Sequence, residues 1–155
     1  MATEIERKFI ASDDFRDEAH RSTYIKQGYL SSVPERAVRI RIKDDKGFIT
    51  IKGASSECGL ERYEWEREIP LSEAEELMLL CEKGIIEKRR HIVDYRGKIF
   101  EVDEFFGDNR GLILCEVELT KRDEIIELPL WIIKEVTGDN RYYNVYLTKF
   151  PYASW

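Results

Sequence analysis

The sequence predicts a mainly β fold of about eight short antiparallel strands flanked by a few helices. Apolar and polar residues alternate with a period of two through most of the chain, the pattern of strands with one packed face. Turn chemistry separates consecutive runs at hairpin spacing, as at Asp44-Asp45-Lys46-Gly47, Arg96-Gly97 and the longer Gly107-Asp108-Asn109-Arg110-Gly111. Helical periodicity is confined to short stretches between these runs. So many short strands in 155 residues imply either a barrel or a two-sheet sandwich.

The strand-like runs lie near 3–10, 24–31, 37–44, 47–54, 62–70, 88–95, 98–106 and 111–119. In the first, Glu4, Glu6 and Lys8 alternate with Ile5, Arg7 and Phe9, so two carboxylates and an ammonium share one face. In the third and fourth, Arg39 and Arg41 alternate with Val38, Ile40 and Ile42, and Lys52 follows Ile49 and Ile51. In the fifth, Arg62, Glu64 and Glu66 alternate with Tyr63 and Trp65. Lys88 and Arg90 share a face in the sixth, opposite His91. Glu101 and Asp103 do so in the seventh, and Glu116 and Glu118 in the eighth, against Val117 and Leu119. Residues 54–59 (Ala-Ser-Ser-Glu-Cys-Gly) form a connection. Ser72-Glu73-Ala74-Glu75 reads as a capping box opening a helix with an apolar stripe of Leu77, Leu80 and Cys81, ended by Gly84. A second helix is expected after Pro129, through Trp131, Ile132, Glu135 and Val136 to Gly138, and a short one over 13–21. With no repeat, low-complexity tract or linker, residues 1–155 are expected to form a single domain.

Composition narrows the function. A net charge of −6 argues against a nucleic-acid binder. Cys58, Cys81 and Cys115 are odd in number and widely spaced, without C-x-x-C and away from His20 and His91. A zinc site or disulfide framework is not expected, and free thiols suit a reducing, cytoplasmic setting. Glu4 and Glu6 interrupt any signal peptide, and no apolar run is long enough for a membrane span.

Charge placement is more specific. The E-x-E-x-K of the first strand is unspecific alone, since alternating charge is common on a solvated edge strand. Across the chain, however, like charges pair at i, i+2. Arg39/Arg41 and Lys88/Arg90, with Lys52, are basic; Glu4/Glu6, Glu64/Glu66, Glu101/Asp103 and Glu116/Glu118 are acidic. A surface built for solubility intersperses the signs. Like-charge pairs repel unless a bound counter-charge offsets them. A polyanion with a divalent cation offsets both signs at once, inside a barrel whose charged face turns inward. There is no Gly-rich phosphate loop and no Ser/His/Asp or Cys/His constellation.

On these residues the chain resembles the CYTH superfamily, the triphosphate tunnel metalloenzymes. The resemblance runs through Glu4-Ile-Glu-Arg-Lys8, Gln27-Gly-Tyr-Leu30, Val38-Arg-Ile-Arg41, Thr50-Ile-Lys52 and Arg62-Tyr-Glu-Trp-Glu66. It continues through Lys88-Arg-Arg90, Glu101-Val-Asp-Glu-Phe105, Glu116-Val-Glu118 and the tail Thr137-Gly-Asp-Asn-Arg-Tyr-Tyr-Asn144. It is most like the small bacterial inorganic tripolyphosphatases. The resemblance implies a closed eight-stranded antiparallel β-barrel whose tunnel binds a triphosphate. Lys8, Arg39, Arg41, Lys52, Arg62, Lys88 and Arg90 would hold phosphate oxygens. Glu4, Glu6, Asp103, Glu116 and Glu118 would coordinate Mg²⁺ or Mn²⁺, as two ions. Lys8, Lys52 and Glu118 are the groups expected to act in catalysis. Tyr29, Glu64, Glu66 and Glu101 are further candidates; Arg67 and Glu68 extend the run of Glu64 and Glu66 toward a solvated end. Tyr142, Tyr143 and Asn144 either plug one tunnel mouth or pack in the core. His91, Arg7 and Trp65 should face outward by strand parity.

The reading is hydrolysis of inorganic tripolyphosphate to pyrophosphate and phosphate, extending to nucleoside triphosphates. A class IV-type adenylyl cyclase needs a purine site, and the His-Phe-x-x-Pro sequence associated with it is absent. A thiamine-triphosphatase would need an aromatic such as Trp65 facing inward. A noncatalytic polyphosphate-binding module would need mainly the basic residues, not the carboxylates.

Overall fold

The alternation closes into a barrel. The computed structural model describes residues 3–155. Among them, nine strands form: β1 (Thr3–Ala11), β2 (Arg21–Ser31), β3 (Ala37–Lys43), β4 (Lys46–Ser55), β5 (Glu61–Ile69), β6 (Ile86–Tyr95), β7 (Lys98–Phe105), β8 (Ile113–Glu118) and β9 (Ile132–Glu135). Two α-helices, α1 (Leu71–Met78) and α2 (Asn144–Lys149), accompany them. The strands run in the order β5-β4-β3-β2-β6-β7-β8-β1, and β1 returns to pair with β5. All pairings are antiparallel.

Closure depends on β1 using both edges. One edge takes β8, with Glu6 opposite Glu118 and Lys8 opposite Glu116. The other takes β5 over Thr3–Ile5, then β9 over Phe9–Ala11, with a register shift between Ile10 and Ala11. Tight hairpins set the register. Lys43 pairs with Lys46 around Asp44-Asp45, where Asp44 has φ 53°. Tyr95 pairs with Lys98 around Arg96 and Gly97, both at positive φ (50° and 80°), the turn geometry that matches strand twist.

The apolar core lies largely outside the barrel wall. Phe9, Val93, Phe100, Val102, Cys115 and Val117 point outward and are covered by Phe15 and Trp131. Ile40, Ile42 and Ile49 lie under α1 through Ala74 and Met78. Gly47 permits that approach, since a Cβ there would stand 2.5 Å from the Ala74 Cβ. A third cluster closes one end of the barrel. Inward Ile86, Phe105 and Leu114 meet Tyr142 and Leu147 of the tail. Each buried aliphatic of this size contributes roughly 1.5–3 kcal/mol. Of the two roles open to Tyr142, packing is the one observed: it is 7% exposed within this cluster.

Three helical expectations are corrected. The segment after Pro129 is strand β9, not a helix. Ile132 and Ile133 are β-branched, and the free edge of β1 offers backbone partners there; the Val136 N–H donates to the Lys8 carbonyl. Trp131 anchors the segment, 3% exposed, its indole N–H donating to Glu18. The capping box is not used: α1 starts two residues early with Pro70 at its N-cap and no side-chain cap bond. The Pro70 carbonyl accepts from Glu73 and Ala74 instead. That helix ends at Met78, well before Gly84, and Leu80 is exposed rather than part of the buried stripe. The 13–21 helix is a 3₁₀ turn at Asp13–Asp17. Helix α2 had no sequence expectation.

Candidate active site

The inward faces enclose a cavity of about 870 Å³. Lys8, Arg39, Arg41, Lys52, Arg62 and Arg90 line it, together with Glu4, Glu6, Glu64, Glu66, Glu101, Glu116, Glu118 and Tyr29. Strand parity therefore brings together nearly every residue that the sequence singled out. Lys88 and Asp103 are not among the lining residues, although they share the inward face.

Six of the lining cations have partners in the structure or lie beside charged neighbours. Lys8 Nζ donates to the Tyr142 carbonyl at 3.1 Å, lies 4.7 Å from the Tyr143 ring centre, and is 3.9 Å from Glu116. Arg39 donates to Thr50 Oγ1 at 3.2 Å and lies 3.5 Å from Glu66, while its Nε is buried without a partner. Lys52 lies 3.4 Å from Glu4 and 3.9 Å from Glu64. Arg62 Nε donates to the Gly53 carbonyl at 2.7 Å. Arg41 Nε donates to Gln27 Oε1 at 2.9 Å. Burial, then the neighbouring charges of Arg39 and Arg90, pull Arg41 down to about 9. A guanidinium so disfavoured is poised for an anion.

Lys88 and Asp103 form the foundation of this set. Lys88 Nζ is 2.7 Å from Asp103 and donates to Asn144 Oδ1 at 3.2 Å. Arg90 grips the same carboxylate with Nε at 2.8 Å and a terminal nitrogen at 2.9 Å. Burial opposes ionisation of Asp103, but Arg90 and Lys88 hold it down at about 2. Burial dominates at Lys88 and pulls it to about 7 despite Asp103. Arg90 shifts the other way, because the paired hydrogen bonds and charge of Asp103 outweigh its burial. Both carboxylate oxygens of Asp103 are therefore engaged by cations.

The acidic side is a chain of neighbours, Glu64–Glu4–Glu6–Glu116. Burial, then Glu116 and Glu4, push Glu6 well above the ordinary carboxylate range. Burial and the hydrogen bond with Glu4 raise Glu64 to about 7. Glu4 and Glu116 resist the same burial. The Glu64 hydrogen bond and Lys52 hold Glu4 at about 2, and Lys8 and the Glu6 hydrogen bond hold Glu116 well below its usual value. Carboxylates this close disfavour one another's ionisation. A hard divalent cation would offset that repulsion, and the all-oxygen donor set suits Mg²⁺ or Mn²⁺. Among the described residues no three such groups converge at ligand spacing as they stand, so binding requires side-chain adjustment. Glu118, exposed on β8 opposite Glu6, and Glu101, beside Arg90 at 3.4 Å, complete the acidic lining.

Parity also identifies what stays outside. His91 lies on the outer wall with Nε2 3.2 Å from Glu104 and its ring edge against Phe15. Arg7 forms a two-bond pair with Glu135. Trp65 stacks with Arg67 and does not line the cavity. The three cysteines are free. Sequence reasoning assigned no role to Gln27, Thr50 or Thr137, whose Oγ1 accepts from the Lys8 N–H at 2.9 Å. Gln27 and Thr50 occupy inward positions on β2 and β4, so parity could have found them. Thr137 lies beyond any strand period.

Fold and site define a class: closed β-barrel proteins whose interior sets cations from several strands against a chain of carboxylates. The CYTH domain profile matches residues 2–145, and the chain belongs to that family. It is 44% identical over 156 aligned residues to an inorganic triphosphatase of Acetivibrio thermocellus, covering 100% of this chain and 99% of that protein. It is 36% identical to an inorganic triphosphatase of Nitrosomonas europaea, covering 92% of this chain and 94% of that protein. A crystal structure of an inorganic triphosphatase superposes with a TM-score of 0.70 at 33% identity, covering 96% of this chain and 95% of that one. Among the described residues, no helix is long and apolar enough to cross a membrane.

Proposed function

We propose that this protein is a metal-dependent triphosphatase that cleaves inorganic tripolyphosphate with water into pyrophosphate and phosphate. The observation that carries the reading is the cavity in which cations from several strands face a chain of carboxylates. Two family relatives named inorganic triphosphatase support it. Arg39, Arg41, Lys52, Arg62 and Arg90 bind the phosphate oxygens, the arginines by planar forks and the lysine as a point charge. Lys8, fixed by the Tyr142 carbonyl, offers its remaining N–H donors to a phosphate oxygen where charge develops as the P–O–P bond breaks. Lys88 and Asp103 act from behind, fixing Arg90. Glu4, Glu6, Glu116 and Glu118 would hold Mg²⁺ or Mn²⁺, whose charge would neutralise phosphate oxygens and favour ionisation of the attacking water.

The test is phosphate release from tripolyphosphate with Mg²⁺, with Mn²⁺ and after chelation, with products separated. Metal-dependent formation of equimolar pyrophosphate and phosphate is expected. Binding without turnover under every metal condition would instead indicate a polyphosphate-binding module.

A further inference from the structure

We propose that Gln27 is a positioning residue: it fixes the plane of the Arg41 guanidinium while leaving its whole charge to the bound anion. The proposal rests on the reading of the cavity as a triphosphate site.

Gln27 lies on β2 directly opposite Arg41 on β3 and is 0% exposed. Its Oε1 accepts from Arg41 Nε at 2.9 Å. Because a guanidinium is planar, a bond at Nε sets the direction of both terminal nitrogens. Arg41 itself lines the cavity.

Lys8, Arg39, Lys52, Arg62 and Arg90, the other five of the six cations described above, have different partners. Arg39, Lys52 and Arg90 stand beside carboxylates, while Lys8 and Arg62 donate to backbone carbonyls. Arg41 alone among these six takes a neutral side-chain amide. A carboxylate at the same place would orient the guanidinium equally well but would cancel its charge before the substrate arrived. A neutral acceptor separates the two effects. Gln27 also bears a burden that simple packing does not explain. Its Nε2 is buried without a hydrogen-bond partner. A leucine would fill similar space with no orphan donor, so the amide is retained for the end that holds Arg41.

The test uses Gln27→Leu, Gln27→Glu, Arg41→Lys and the double variant Gln27→Leu/Arg41→Lys, each checked for wild-type circular dichroism. Kinetics with tripolyphosphate and the melting-temperature shift that tripolyphosphate induces are both measured. Gln27→Leu should lower kcat/KM about tenfold or more, the range of a hydrogen bond to a charged group. It should have little further effect in the Arg41→Lys background, where there is no fork to orient. Gln27→Glu, which keeps the shape but neutralises Arg41, should reduce the ligand-induced shift more than Gln27→Leu does. Wild-type kcat/KM in Gln27→Leu, or the same fold-loss in both backgrounds, would overturn the proposal. If Gln27→Leu does not fold, Gln27→Met takes its place with the same expectations. Failure of the functional reading would look different: the wild type itself would neither hydrolyse tripolyphosphate nor be stabilised by it.

Discussion

Asp103 Oδ2 lies 2.7 Å from Lys88 Nζ, and their side chains are 3% and 0% exposed. Two candidate site residues, one expected on a metal and one on a phosphate, bind each other in the structure, and neither lines the cavity.

Removing that carboxylate should therefore damage the fold as well as activity. Asp103→Leu leaves Lys88 and Arg90 buried without their partner, a change that costs roughly 3–5 kcal/mol. Lys88, already pulled to about 7, limits the loss by shedding its proton. A base with a depressed folded pKa gives stability that rises with pH from its folded value toward its unfolded value. Without Asp103 the Lys88 pKa falls further, so the melting-temperature gap between wild type and variant should narrow as pH rises toward about 7, where Lys88 of the wild type loses its proton as well. A gap that widens would show that Lys88 stays charged without Asp103.

Glu118→Gln should separate stability from turnover. The side chain is exposed, so the melting temperature should stay close to wild type. Loss of a charged oxygen donor should lower kcat by more than about a hundredfold, and added Mg²⁺ or Mn²⁺ should not restore it. Near-normal turnover at saturating metal would remove Glu118 from the donor set.

The pair of Arg7 and Glu135 ties β9 to β1 on the outer wall and should be sensitive to acid. The Arg7 hydrogen bond, against slight burial, lowers Glu135 below its ordinary 4.5. Its contribution is complete above 4.5 and disappears as pH falls through the lower folded value. For so exposed a pair it amounts to about 0.2–1 kcal/mol. Glu135→Gln should melt lower than wild type at neutral pH and converge with it in acid.

Gly59 and Gly138 touch across the cavity rim, where a Cβ on Gly59 would lie 2.3 Å from the Gly138 Cα. Gly59 also has φ +76°, which costs any L residue about 1–2 kcal/mol. Gly107 provides the control, with φ +62° and open space for 4 Å around the point where a Cβ would stand. Gly59→Ala should lower the melting temperature more than Gly107→Ala and should raise KM for tripolyphosphate, because Ser55, Ser56, Glu57 and Gly59 line the cavity. Equal effects in both variants would show that the contact with Gly138 contributes nothing.

Much of this was legible in the sequence because a strand has one decisive variable, the face. The alternation around Arg39, Arg41, Glu116 and Glu118 determined which side chains meet, and the hairpin turns at Asp44 and Arg96 set the register. Depth was not legible. Lys88 has the parity of Arg90, yet the tail residue Asn144 and the carboxylate of Asp103 hold it below the cavity floor. The stretch from Pro129 to Gly138 carried punctuation common to a helix and a strand. Only the unpaired edge of β1, a tertiary circumstance, decides for β9. At Ser72 the local capping signal lost to Pro70, whose fixed geometry starts the helix two residues sooner.

The double-edged pairing of β1 has a consequence for the order of assembly. Thr3–Ala11 are the first residues of the barrel to be synthesised, but their partners are β5, β8 and β9. Emerging from the ribosome, this segment must wait until residues 113–118 and 132–135 have followed. The seam is thus closed by the most distant contacts in the sequence, the kind whose loop-closure entropy slows folding. Glu4, Glu6 and Lys8 travel on that late strand. A nascent chain therefore lacks the facing set of cations and carboxylates while its hairpins are still forming.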